Sequence, residues 1–175
     1  MELQFLYMLQ EWHSPILDKL MIFITTLGNA GVFWVCLGIV LAVIPKTRRC
    51  GICMIFAMAL TFILGNLIIK NVVARPRPFS LATDIVLKIP QPGEYSFPSG
   101  HTMNAFSGAT TIFLFYRKPG VAAFVLASLI AFSRMYLFVH YPTDILAGAV
   151  WGIVDALVIF RLTSKKGCVK LSSNK

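Results

Sequence analysis

The sequence predicts an all-α polytopic membrane protein, with six transmembrane helices in one bundle and a short interfacial helix before them. Three observations carry that expectation. Of the 175 residues, 57% are apolar, and mean hydropathy is +0.76. Only 13% are charged, about half the share that covers the surface of a soluble domain. Apolar runs also alternate with basic turns at the spacing of a hydrocarbon core, which takes roughly 20 helical residues per crossing. A water-soluble monomer, a disordered chain and a collagen-like chain are thereby excluded. In a soluble protein the net charge of +9 would read as a nucleic-acid footprint. Here it fits the positive-inside bias of a membrane protein, and no nucleic-acid partner is expected.

The N-terminus lacks the basic segment of a cleavable signal, and Glu2, Glu11 and Asp18 interrupt the apolar run. Leu3, Phe5, Leu6, Met8, Leu9 and Trp12 instead predict an amphipathic helix over about 2–12, lying at the interface. The first span, Ser14 to Leu27, is the weakest, because Asp18 and Lys19 lie in it; whether it crosses fully is open. Leu27 to Gly31 reads as a turn. A second span runs to Ile44 and stops at Pro45, before Lys46, Arg48 and Arg49. The third covers about Cys50 to Val73, with Asn66 and Lys70 in its last turns. A polar stretch from Ala74 to Phe97 is long enough to be a lid or binding loop. The fourth span, about Ser99 to Tyr116, ends in Arg117-Lys118-Pro119-Gly120, the fifth reaches Leu137, and Pro142 opens a sixth that ends near Leu162. The chain thus reads as one domain over 1–175, with an outer loop at 74–98 and a basic cytoplasmic tail at 163–175.

Six crossings gather Lys46, Arg48, Arg49, Arg117, Lys118, Arg161 and the tail lysines on one side, with Lys19 near it. That side should be cytoplasmic. Cys50 and Cys53 form a C-x-x-C, but no second pair of ligands lies nearby, so they read as thiols packed at a helix end. Cys168 is too far from the C-terminus for prenylation.

Five cations remain on the outer face: Lys70, Arg75, Arg77, Lys88 and Arg134. Cations near a bilayer are costly and usually have a partner. Asp84, Asp144 and Glu94 cannot neutralise five of them, so the surplus predicts an anionic ligand such as a phosphate. Pro98-Ser99-Gly100-His101 reads as a helix start, whose free N–H groups favour an oxyanion. The guanidinium forks of Arg77 and Arg134 suit phosphate oxygens. His140 sits just before a helix whose first turn carries Asp144, a carboxylate able to fix the imidazole tautomer and leave the other nitrogen for attack. His101 is placed to protonate a leaving oxygen. His13, beside Trp12, is read as interfacial, without a partner and without a role.

Three motifs then stand in order. Lys70 to Pro78 matches KxxxxxxRP, Pro98 to His101 matches PSGH, and Ser133-Arg134 through His140 to Asp144 matches SRxxxxxHxxxD. As a set they resemble the type-2 phosphatidic acid phosphatase superfamily of membrane lipid phosphatases. The motifs cover about 75 residues, and the six-span layout extends the likeness to nearly the whole chain. The resemblance implies a phosphohistidine on His140, with Asp144 orienting it. It implies that His101 acts as general acid and then as base, and that Lys70, Arg77, Ser99, Gly100 and Arg134 cradle the phosphate. The family's spacing selects Arg77, leaving Arg75 as an accessory cation or a loop anchor. It implies no metal and no other cofactor.

The expected function is a lipid phosphate or pyrophosphate phosphatase in a bacterial inner (plasma) membrane, with its site facing the extracytoplasmic side. Its partners are the lipid phosphate substrate and the membrane lipids. Undecaprenyl pyrophosphate and phosphatidylglycerol phosphate lead the substrates, with phosphatidic acid and a lipid A phosphate behind them. A lipid phosphotransferase and a non-catalytic phospholipid transporter are the alternatives.

Overall fold

Residues 1–82 and 84–163 are described by the computed structural model. Cys168 and the expected basic tail beyond Thr163 lie outside the described residues. Among the described residues every regular element is helical, and there is no strand.

Helix α1 (Glu2–Gln10) buries Leu6 and Leu9. Ser14 then starts α2 (Pro15–Thr26): its side chain accepts from the Leu17 amide at 3.3 Å, and Pro15 takes the first helical position. Such a cap contributes about 1 kcal/mol, and the proline removes an N–H that had no partner. A 3-10 turn (Asn29–Gly31) follows, with Ala30 at φ 49 and Gly31 at φ 68. Gly31 suits that left-handed position because it has no Cβ. Helix α3 (Val32–Val43) ends before Pro45.

Helix α4 (Arg48–Thr61) runs on into a π-helical stretch (Phe62–Ile69) and α5 (Lys70–Val73). Ala74, at φ 47, ends it. A short α6 (Pro78–Leu81) precedes the loop to α7 (Gly100–Phe115), α8 (Arg117–Tyr136) and α9 (Pro142–Thr163).

The centre belongs to α7, which packs against α4, α8 and α9. It buries a polar and small-residue face, including Thr102, Asn104, Ser107, Gly108, Thr110 and Thr111. The α7–α9 contact is close because small residues line it: a Cβ at Gly148 would stand 2.9 Å from the Ser99 carbonyl oxygen. Cys50 and Cys53 are buried free thiols in α4.

Among the described residues four helical stretches are long and apolar enough to cross a membrane: Pro15–Val43, Arg48–Leu81, Arg117–Tyr136 and Pro142–Thr163. The first of them contains both the expected first and second spans. The turn at Leu27 to Gly31 bends the chain without reversing it. Asp18 accepts from the Tyr136 hydroxyl at 2.7 Å, Thr25 accepts from Arg134 at 2.6 Å, and Asn29 meets His101 at 2.9 Å. Further along, Gly31 lies against Asn104, Gly38 against Met54 and Ala42 against Gly51. Tyr116 finally donates to the Lys46 carbonyl at 3.2 Å. Both α2 and α3 therefore lead away from the end of the bundle that holds Tyr136 and His101. The physical reason is length: the 12 residues of α2 span about 18 Å, and Asp18 is tied to Tyr136 and Lys88 at the top.

This path predicts that Lys19 and Lys88 share one side of the membrane, with Lys46 on the other. In a variant without its native cysteines, Lys19→Cys and Lys88→Cys should react with an impermeant maleimide from the same side. Labelling of Lys19→Cys together with Lys46→Cys instead would restore the reversal.

Candidate active site

At the Tyr136 end of the bundle lies a cavity of about 500 Å³, lined by Lys70, Arg77, Gly100, His101, Arg134 and His140 among others. Several separate segments converge to make it. Lys70 follows the π-helical stretch, a distortion that often marks functional sites. Arg77 precedes α6. Gly100 and His101 open α7, and Arg134 closes α8. His140 lies on the connection between α8 and α9, a turn that holds Phe138 at φ 60. A left-handed aromatic residue costs about 1–3 kcal/mol. Packing offsets it: Phe138 is 1% exposed, sits in a cluster with Leu6, Leu9, Ala82 and Tyr141, and meets the Tyr7 ring edge-on at 5.3 Å.

His140 is 1% exposed. Its Nε2 is 3.1 Å from Nη1 of Arg77. A guanidinium only donates, so Nε2 is the acceptor and the ring proton sits on Nδ1. That nitrogen faces Asp144 Oδ2 at 3.4 Å. Burial pushes the His140 imidazole down to about 3; the hydrogen bond with Asp144 opposes the shift, and the charges of Arg77 and Arg134 add to it.

Asp144 has no exposed side-chain surface. It accepts from the Ser96 hydroxyl, from the Tyr141 amide at 2.9 Å and from Arg75 Nη1 at 2.7 Å. Arg75 is thus an anchor for Asp144, and it is absent from the cavity lining.

The sequence left five outer cations short of partners, and two of them acquire carboxylates from the N-terminal segment. Arg75 pairs with Glu2 at 2.7 Å, and Lys88 pairs with Asp18 at 3.5 Å. Lys70, Arg77 and Arg134 remain on the cavity wall with one carboxylate, Glu94. Lys70 is 5% exposed and ion-paired to Glu94. That hydrogen bond holds the Glu94 carboxyl below the usual carboxylate range, against a smaller opposing effect of burial. Arg77 donates to the Glu94 carbonyl at 2.6 Å and the Val139 carbonyl at 2.9 Å. Arg134 is 3% exposed, and its buried Nε–H has no hydrogen-bond partner among the described residues. A buried donor left unpaired costs about 1–3 kcal/mol.

His101 Nε2 lies 2.9 Å from Asn29 Oδ1. The amide oxygen accepts, so the proton on that nitrogen points to the cavity wall. Both imidazoles line one cavity. Ser99, like Asp144, stands behind the cavity wall. It is fully buried, caps α7 by accepting from the Thr102 amide at 3.5 Å, and is absent from the lining. His13, expected to be without a partner, pairs with Asp18 and stacks on Tyr136 at 4.3 Å.

Sequence reading missed Asn29, Asn66, Asn104 and Thr25 on the cavity wall, and Ser96 and Glu2 behind Asp144. Only the two asparagines within apolar runs, Asn66 and Asn104, carried a local signal. Among the described residues no group of three or more His, Cys, Asp and Glu is arranged to hold a metal ion.

Comparison with known proteins gives this geometry a context. A 34% identical relative over 137 residues, covering 78% of this chain, is the undecaprenyl-diphosphatase of Sulfolobus acidocaldarius. The chain spans about two thirds of the length of the first curated relatives it matches, 66% and 64%. The crystal structure of Aquifex aeolicus LpxE superposes with a TM-score of 0.78 at 29% identity, over 91% of this chain and 94% of that one. The PAP2-type phosphatidylglycerolphosphate phosphatase of Bacillus subtilis gives 0.77 at 26% identity, over 98% and 87%. The family model of the PAP2 superfamily matches residues 51–168, which is more than half of the sequence. The chain belongs to the PAP2 superfamily.

Proposed function

We propose that this protein is a multi-pass plasma-membrane phosphatase that hydrolyses a lipid-borne phosphate or pyrophosphate through a phosphohistidine on His140. One observation carries the reading: a buried imidazole with Nδ1 against a buried carboxylate turns Nε2 toward a cavity walled by Lys70, Arg77 and Arg134. The proposed roles follow from that arrangement. Nε2 attacks phosphorus while the bond to the leaving oxygen breaks, and His101, entering the step as imidazolium, passes a ring proton to that oxygen and becomes neutral. Asp144 stabilises the positive ring that results. His101 then takes a proton from water, the water oxygen attacks phosphorus, the P–N bond breaks, and inorganic phosphate leaves.

Lys70, Arg77, Arg134 and the α7 N-terminus at Gly100 stabilise the charge of the transition state. Ser99 contributes by capping that helix. Substrate phosphate takes the place of the Glu94 carboxylate on Lys70 and of His140 on Arg77. The expected phosphate cradle needs no metal, and none is invoked.

Undecaprenyl pyrophosphate is the leading substrate, supported by the name of the 34% identical relative. Phosphatidylglycerol phosphate is second, supported by the Bacillus subtilis structure. The bundle crosses five times in this reading: Pro15–Val43 once, with α2 in the outer half, then α4–α5, α7, α8 and α9. The N-terminal helix and the site lie on the extracytoplasmic side, and Lys46, Arg48, Arg49, Arg117, Lys118 and Arg161 lie on the cytoplasmic side. With Lys19 on the outer face the sequence still counts ten basic residues, the four tail lysines included, against six.

Purified protein in detergent should release inorganic phosphate from undecaprenyl pyrophosphate without an added acceptor, fastest among the four lipids. His140→Ala should lose about a thousandfold or more in kcat. Release only with an alcohol acceptor would make the protein a phosphotransferase; release within tenfold of wild type by His140→Ala would remove the nucleophile. Arg134→Lys should cost at least about tenfold in kcat/KM, since a point charge cannot replace the fork; near-normal kinetics would demote Arg134 to an anchor.

The buried site also sets a pH dependence. His140 stays neutral down to about 3 when folded, whereas an unfolded imidazole titrates near 6.5. Between those values acid protonates the unfolded chain but not the native one, so stability falls as pH drops through that window. Nitrogen-15 spectra of labelled histidine should show a neutral His140 ring from pH 8 to about 4. A midpoint near 6.5 would contradict the burial that drives the shift.

A further inference from the structure

Behind Asp144 lies a second carboxylate that no motif contains. Glu2 Oε2 accepts from Arg75 Nη2 at 2.7 Å, while Arg75 Nη1 donates to Asp144 Oδ1 at 2.7 Å. The other oxygen of Glu2 accepts from the Thr143 amide at 3.1 Å and the Thr143 hydroxyl at 2.7 Å. Thr143 lies in the first turn of α9, next to Asp144, and its hydroxyl also accepts from Arg75 Nη1 at 2.7 Å. The Tyr141 ring closes one face of the guanidinium at 3.9 Å. Glu2, Arg75, Thr143 and Asp144 thus form a closed ring of contacts, with the α1 N-terminus on one side and the His140 turn on the other.

The charges of this ring matter for the chemistry proposed above. Arg75 paired with Asp144 alone would cancel the negative charge that His140 needs when its ring turns positive. With Glu2 included, two carboxylates and one guanidinium leave a net single negative charge, which matches one positive imidazole ring. Asp144 itself has no exposed side-chain surface, so its charge is weakly screened where the ring charge develops, whereas Arg75 and Glu2 keep 26% and 34% exposure and act on it through direct hydrogen bonds.

We infer that Glu2 is a positioning residue of this active site: acting through Arg75, the N-terminal helix sets the orientation and the charge of Asp144 against His140. The inference rests on the reading of His140 and Asp144 given under the proposed function. It gives α1 a role in turnover, besides its packing on Phe138. Arg75, which the sequence left as an accessory cation or a loop anchor, transmits the effect.

The test compares Glu2→Gln, which keeps the shape and removes the charge, with Glu2→Asp, which keeps the charge. The substrate is undecaprenyl pyrophosphate in detergent. Glu2→Gln should lose about tenfold or more in kcat, the usual scale for a partner standing behind a reacting group. KM should stay within about twofold, because the phosphate cradle is untouched, and Glu2→Asp should recover most of the rate. Nitrogen-15 spectra of the ligand-free variants should show the proton of His140 less confined to Nδ1 in Glu2→Gln than in wild type. A kcat within twofold of wild type in Glu2→Gln would overturn the inference. So would equal losses in both variants accompanied by a lower melting temperature, which would mark a purely structural contact. If wild type releases no phosphate from any of the four lipids, the phosphatase reading fails, and the tautomer measurement still decides whether Glu2 controls His140.

Discussion

A buried carboxylate organises this molecule. Asp144 has no exposed side-chain surface and depends on donors from separate parts of the chain: Arg75 beyond α5, Ser96 from the loop before α7 and the Tyr141 amide from the turn before α9. An ionised group in such a place is tolerated only when it is paired and hydrogen-bonded. Each donor therefore fixes its own segment as well as Asp144. The loop is closed in part by the Ser96 amide bonding to the Arg75 carbonyl at 2.8 Å, and the α9 start is drawn against the His140 turn. The cavity exists because these segments are held to one point.

The cavity wall is built on the opposite electrostatic logic. Lys70, Arg77 and Arg134 are each about 95% buried or more and share a single acidic side chain, Glu94. Such crowding of like charge is unfavourable in itself, and the packing of α4, α7 and α8 bears the cost. Glu94 is the exposed member of its pair: its side chain is 69% exposed and sits on a loop, whereas Lys70 is buried and held by the helix beneath it.

The sequence made much of this legible, for identifiable reasons. The all-helical class followed from composition, and the fold bears it out. The motif residues were legible because each functional group sits next to the local feature that positions it. Ser99 caps the helix that begins at Gly100, and Asp144 lies one turn after His140. What stayed hidden were pairings across the chain. Glu2 with Arg75 and Asp18 with Lys88 join the first 18 residues to the loop between α5 and α7, and nothing in either segment announces the other. Without them the outer face showed more unpaired cations than it has. The bend at Ala30 and Gly31 was hidden for a similar reason. A glycine-containing break reads the same whether the chain turns back or continues, and only the contacts of Asp18, Thr25 and Gly31 separate the two.

The polar face of α7 has a consequence for how the protein enters a bilayer. With Thr102, Asn104, Ser107, Thr110 and Thr111 all sheltered by neighbours, this 16-residue segment is absent from the four stretches apolar enough to cross alone. Released singly into lipid during synthesis, it would expose those hydroxyls and amides to hydrocarbon, which is unfavourable. Its partner α8 follows after a single residue, Tyr116. The hydroxyls and amides of α7 are covered by α4, α8 and α9, so the segment that begins at Gly100 and His101 depends on those neighbours for its place.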